Sequence, residues 1–272
     1  MRLAFARTRH AALAGSAALA LFLAACAPTA PERPAAPAGP DDQGEFARRR
    51  ITPEGVSATV LRRLPLGNSA AVAAAGVSPV AWRNLTVVVQ GTSVEASNGQ
   101  IEFSTTALRF VNLNNGLVQR AAQLSKYDTD YGTTYSLMWR GLIDLKRQEV
   151  APRTAVTRPV IEVKNVARFD TLPTDLAREF RADYTTGLEA QTSGLLPVDF
   201  TCRTSRRLPA ANLHPRMQGD ALELECRLRA DNAVQSASRW AVLLSYGVAI
   251  EVFEQRGRVR TENRISEFAA RS

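Results

Sequence analysis

The residues able to do chemistry in this chain are few. Of its two histidines, His10 lies at the start and only His214 falls in the body, in the turn-like stretch Asn212-Leu213-His214-Pro215. A histidine-rich metal site is therefore excluded, and no nucleophile motif accompanies His214 to complete a Ser-His-Asp or Cys-His mechanism. His214 reads as a surface loop residue. Asp128-Thr129-Asp130-Tyr131-Gly132 invites a calcium reading, but the position 11 residues after Asp128, where such a loop needs a carboxylate, is Trp139. An Asp/Gly-rich β-turn is expected there. Glu223 and Glu225 share one strand face, as a carboxylate pair for glycoside chemistry would. Alternating with Arg227 and Arg229, they read as exposed strand acids. No glycine-rich phosphate loop opens a helix. Cofactors and metals are not expected.

Two further groups are candidate binding features. Arg203, Arg206 and Arg207, with Arg256, Arg258 and Arg260, would form one basic binding edge if the last strand pairs near the Cys202 strand. Otherwise they are charged edge residues that block aggregation. Tyr127, Tyr131, Tyr135 and Trp139 would suit sugar stacking, but only Tyr135 and Trp139 share inward parity, which favours core packing.

The elements that position these residues are strands. Leu85, Val87 and Val89 alternate with polar or small partners. After the hairpin signal Asn98-Gly99, Ile101 and Phe103 continue the pattern. Leu108–Asn112 and Leu117–Leu124 flank Asn114-Asn115-Gly116. Tyr135, Leu137, Trp139, Gly141, Ile143 and Leu145 form one face, and Val160–Ala167 adds a strand. Pro173–Tyr184 breaks the period, with Thr174 placed to cap a short helix through Leu176 and Phe180. Beyond it, Val198, Phe200 and Cys202 lie on one face, and Leu222, Leu224, Cys226 and Leu228 on one face of the next strand. Trp240–Phe253 is apolar on both faces and reads as one central strand, and Val259–Ile265 closes the sheet. Earlier in the chain, Val56–Leu64 is a candidate strand and Ala70–Gly76 a short helix. An all-β, antiparallel β-sandwich fold follows, in two modules: a first β region over 51–172, a linker or short helix over 173–187, and a second module over 188–272. A faint internal repeat supports two modules. Val94-Glu95-Ala96 and Ile101-Glu102-Phe103 resemble Leu188-Glu189-Ala190 and Val198-Asp199-Phe200. Leu137-Met138-Trp139-Arg140-Gly141 precedes Leu243-Leu244-Ser245-Tyr246-Gly247 by about 106 residues.

The N-terminus names the compartment. Arg2, Arg7 and Arg9 precede the uncharged run Ala11–Ala25, too short to span a bilayer, which is the layout of a secretory signal over 1–25. The run closes on Leu23-Ala24-Ala25-Cys26, which resembles the lipobox of bacterial lipoproteins. That resemblance implies diacylglyceryl transfer to the Cys26 thiol, cleavage before it and acylation of its amine. With Ala27 rather than Asp after the cysteine, it implies lipid anchorage in the outer membrane with the body in the periplasm. Several acyl chains, at ~0.8 kcal/mol per buried CH₂, hold a protein stably where one does not. Pro28, Pro31, Pro34, Pro37 and Pro40 recur every third residue, the period of a polyproline II helix, and make 26–50 a tether.

In that oxidising compartment Cys202 and Cys226, both inward by strand parity, are expected to form a disulfide. Without the first 25 residues the chain carries 31 basic and 26 acidic residues, a modest excess that arginine-rich composition accounts for. Nucleic acid is not an expected partner. The expectation is a non-enzymatic lipoprotein presenting its β body to a periplasmic or outer-membrane protein, as an accessory of an envelope complex. A carrier or binder of lipid, glycan or cell-wall polymer is the alternative, and a carboxylate-based hydrolase is a weaker one.

Overall fold

A computed structural model describes residues 70–72, 75, 80–151 and 158–271. The expected signal over 1–25, the expected tether over 26–50, Cys26 and the expected Val56–Leu64 strand lie outside the described residues. Of the expected Ala70–Gly76 helix, residues 70–72 are helical.

Twelve strands follow one another as an antiparallel meander. The first six are β1 (Asn84–Glu95), β2 (Ile101–Asn112), β3 (Leu117–Lys126), β4 (Thr129–Trp139), β5 (Ile143–Val150) and β6 (Ile161–Phe169). The second six are β7 (Glu179–Leu188), β8 (Leu196–Pro209), β9 (Asp220–Ala230), β10 (Ala233–Leu243), β11 (Val248–Arg256) and β12 (Val259–Arg271). Each strand pairs with its sequence neighbours, and β1 pairs with β12 from Asn84↔Arg271 to Glu95↔Val259, which closes the sheet. The architecture is a closed barrel, not the expected sandwich. A sandwich leaves free edges, whereas here the first strand pairs the last and removes them.

The two halves correspond strand for strand, so the faint repeat has a topological basis. The turn between β4 and β5 and the turn between β10 and β11 hold equivalent places, and Gly141 and Gly247 both take positive φ there (70° and 62°). The halves are not separate modules. β5 meets β6 only at Lys146↔Glu162 and Arg147↔Ile161, while β6 pairs with β7 from Ile161↔Leu188 to Phe169↔Ala182. Likewise β12 joins β11 only from Phe253↔Glu262 to Arg256↔Val259 but runs along all of β1. Each half therefore lends its last strand to the other half's sheet.

The wall encloses two apolar cores. One gathers Phe180, Phe200, Leu222, Leu224 and the Cys202–Cys226 pair around Trp139. The Trp139 ring stacks on Phe180 at 5.3 Å and meets Phe169 edge-on at 4.8 Å. The other gathers Leu85, Val87, Phe110, Ile265 and Phe268 with Met138, Leu243, Val248 and Ile250. Consecutive residues split between cores: Met138 enters one while Leu137 and Trp139 enter the other, and Val242 and Leu243 divide likewise. The β4–β5 and β10–β11 tips are thus buried on both faces. That corrects two expectations. Tyr135–Leu145 and Trp240–Phe253 are each a strand, a turn and a second strand, and they read as unbroken because the turns between them are apolar and buried.

Where a linker or short helix is expected over 173–187, no helix forms. Residues 179–188 are β7, with Phe180 at 0% exposure, and the irregular stretch is confined to 170–178. Burial of Phe180 against Trp139 outweighs the local capping signal from Thr174. By contrast, cysteine parity held. Cys202 and Cys226 sit directly opposite on β8 and β9 and form a disulfide.

Outward positions are charged: Arg181 and Arg203 alternate with buried Ala182 and Cys202, and Glu225, Arg227 and Arg229 line β9. A membrane-spanning barrel has the inverse plan, apolar outside and polar within. Among the described residues no helix is long and apolar enough to cross a membrane.

Candidate functional site

Three places combine chemistry with access. The first lies on the inner side of the wall. Arg120 on β3 donates through Nη2 to Ser136 Oγ on β4 at 3.3 Å and lies 3.5 Å from Asp144 Oδ1 on β5. Glu251 on β11 shares their electrostatic environment. Burial pushes its carboxyl up to about 8, Glu254 and Asp144 push the same way, and Arg120 and Arg256 oppose them. The Tyr184 phenol on β7 is also pushed up, first by burial and then by Asp144, against Arg147. Closure of the sheet brings these groups together from five strands. At neutral pH Glu251 is a protonated carboxyl beside an Arg–Asp pair, able to donate a hydrogen bond. Sequence reasoning missed it, although the signal was present: Glu251 is the one acid inside the doubly apolar run Trp240–Phe253.

The second place is a cavity of about 460 Å³ across β6–β9, lined by residues including Asn165, Arg181, Tyr184, Asp199 and Arg229. Arg181 holds both its acids, Asp183 at 2.9 Å and Asp199 at 2.7 Å.

The third is one rim of the barrel, where β1, β3, β5, β7, β9 and β11 end. Eleven large apolar side chains are exposed on the described protein. All but Leu113 and Leu176 stand within three residues of a strand end at this rim or in its turns. Val94, Ile101 and Phe103 cluster on β1–β2, beside Tyr127 and Tyr131 at the β3–β4 turn. The second half answers with Leu188 and Leu196 on β7–β8, and Val234 and Val259 complete the set. Phe103 is 59% and Val234 63% exposed. The opposite rim receives the chain from residue 80. There Trp82 is buried, its indole N–H donates to the Tyr246 carbonyl, and Asn112 donates to the Trp82 carbonyl at 3.0 Å.

This rim overturns one expectation. Ile101 and Phe103 do not continue the inward pattern of Leu85, Val87 and Val89. The turn at 96–100 sets Val94↔Ile101 and Thr92↔Phe103, and a one-residue change of register moves a side chain to the opposite face.

The expected basic edge is not assembled. β8 and β12 are separated by β9, β10 and β11. Arg206 pairs with Glu223 at 2.9 Å and Arg207 lies 3.8 Å from Asp220. Only Arg256, Arg258 and Arg260 reach the apolar rim, with Arg256 on Glu254 and Arg260 over the Phe253 ring. Glu223 is buried in its pair with Arg206, while Glu225 is exposed. His214 is half-buried near Phe268, its Nδ1 accepting from the Arg216 N–H at 3.2 Å. Burial holds its pKa down. Asp128 lies in the β3–β4 turn, where Tyr127 and Asp128 both have positive φ. Trp139 is core and Tyr135 packs against it, while Tyr127 and Tyr131 are exposed. Among the described residues no His, Cys, Asp or Glu group of three or more is arranged to hold a metal ion.

No protein-family model, curated protein or solved structure matches this chain.

Proposed function

We propose that the chain is an outer-membrane lipoprotein, held through acylated Cys26 with its barrel in the periplasm. In this reading the barrel is a non-catalytic contact module for a protein partner in an envelope assembly. The apolar rim carries the reading. Apolar side chains collected at one end, on a protein whose walls are charged, mark an interaction surface. The lipobox-like Cys26 and the proline-rich tether support the address. The filling of both cores by Trp139, Phe180, Phe110 and their neighbours speaks against a carrier that encloses an acyl chain.

A photocrosslinking residue placed at Phe103 or Val234 in the native cell should give a discrete adduct of defined mass, and one at Leu113 should not. Equal capture from both rims, or from neither, would sink the reading. The address is tested separately: Cys26→Ala should leave the barrel folded but no longer in the outer-membrane fraction. One observation favours a second reading, a glycan or wall-polymer binder: the β6–β9 cavity sets polar groups beside Tyr184. Binding of a soluble wall fragment that Asn165→Ala and Arg229→Ala abolish would support it.

A further inference from the structure

We infer that the β6–β9 cavity holds a zwitterionic amino-acid group, its ammonium on the Asp183–Asp199 pair and its carboxylate on Arg229. The inference rests on the glycan or wall-polymer reading of this cavity and names the chemical group that is held. One row of side chains crosses four strands in register: Arg168 on β6, Asp183 on β7, Asp199 on β8 and Arg229 on β9. Like charges directly opposite one another destabilise a sheet, yet Asp183 and Asp199 stand so, and neither end arginine relieves them. Arg168 turns to both oxygens of Asp170, each at 2.9 Å, and Arg229 turns to the Asn232 carbonyl at 3.0 Å. Among the described residues Arg181 is the one cation in contact with the pair, and Thr201 adds a neutral donor to Asp199 at 2.9 Å.

The cavity therefore has two poles. Two carboxylates that share one guanidinium keep a surplus negative charge, and Arg229, directly opposite Asp199, keeps a positive one. A neutral sugar ring compensates neither. A simple anion is repelled by the acid pair and a simple cation by Arg229, whereas a molecule carrying both charges is attracted at both poles. The wall is shaped for this by β6, whose register shifts at Val163/Asn165 and Val166/Arg168 set two bulges close together. Bulges bend a strand and add twist, and the bent stretch contributes Asn165 and Ala167 to the lining. Ala167, Pro197 and Val198 offer apolar surface to the ligand's side chain. The volume of about 460 Å³ falls among small-molecule sites, which run to about 300–1,000 Å³.

Isothermal titration of the full chain with glycine, leucine and phenylalanine should show one-to-one binding by at least one of them. The amide of that amino acid, which lacks the carboxylate, and its deaminated acid, which lacks the ammonium, should each bind at least about tenfold more weakly. Asp199→Asn and Arg229→Gln should weaken the amino acid by a similar factor with little change in the thermal melt, since both side chains reach solvent. The pattern across probes separates recognition from a structural role. Arg229→Gln should not weaken the amide, and Asp199→Asn should not weaken the deaminated acid. No binding up to about 10 mM, binding that survives loss of either ligand charge, or variants that weaken every probe alike would overturn the inference. If a soluble wall fragment binds through Asn165 and Arg229 while no amino acid does, the zwitterion falls and the wall-polymer reading stands. If neither binds, both fall.

Discussion

The Ala249 N–H donates to the Arg140 carbonyl at 2.7 Å, and this bond ties the β10–β11 hairpin to the β4–β5 turn across the middle of the molecule. Next to it, Gly141 has φ of 70°, and a Cβ there would lie 2.8 Å from the Ala249 carbonyl oxygen and 2.8 Å from Val248 Cγ2. Neither the backbone nor the packed valine can yield freely. Gly141→Ala should destabilise the fold by at least about 2 kcal/mol, read as a lower urea midpoint with an unchanged slope. Gly99→Ala shares the positive φ but meets nothing within 4 Å, so its loss should be smaller, and equal losses would refute the close-packing account.

Cys202 and Cys226 close a loop with sequence separation 24. In the chain-entropy model that is about 3.5 kcal/mol. Replacing both with alanine should lower the melting temperature by roughly 7–14 °C at 2–4 °C per kcal/mol, and reductant should do the same to the parent. A reductant-insensitive melt would show that the thiols are not bonded in solution.

Glu251 sets a dependence on pH. Its folded pKa is raised to about 8 from the ordinary 4.5, so the folded state keeps a proton that the unfolded state releases. Stability is then greatest below the ordinary value and falls as pH rises from about 4.5 to 8. After discounting for water near the carboxyl, the loss is on the order of 3 kcal/mol. Glu251→Gln should flatten the urea midpoint between pH 5 and 9, and a variant that keeps the parent slope would acquit Glu251.

The β5–β6 seam depends on ions more than on its ladder. Lys146, 3% exposed, contacts Glu162 at 2.5 Å and Glu189 at 3.6 Å, and Lys164 holds the other Glu162 oxygen at 2.6 Å. Burial raises the Glu162 pKa, but the two lysines outweigh it and the net shift is downward. The stabilisation is therefore present above the ordinary carboxylate range and is lost as pH falls through the depressed value. Lys146→Met strands part of a buried charge and should cost about 3 kcal/mol. In acid, hydrogen exchange should rise first in 161–163, before β8 and β9. Simultaneous loss across the barrel would contradict a weak seam.

Strand positions and cysteine parity were legible because they are local: alternation at Leu85–Val89 and Leu222–Leu228 needs only one buried face. Closure was not, because pairing Asn84 with Arg271 is decided by the whole meander. The β4–β5 and β10–β11 tips misled for the opposite reason, since burial on two faces erases the polar mark of a turn. Of the candidate site, the cysteine pair could be read from strand parity, whereas the six-arginine edge could not, because strand order and not sequence proximity decides whether β8 and β12 meet. Phe103 could not, because the 96–100 turn and not its own neighbours decides which way it points.

Because β1 is completed only by β12, the barrel cannot close until β12 has been made. The first strand must wait about 170 residues of synthesis for its partner, with its apolar face uncovered in the meantime. A sheet whose seam joins its two ends is slow to form, since such distant pairing sets a low rate. Until then the apolar side chains of β1 that Ile265 and Phe268 will cover stay open to solvent.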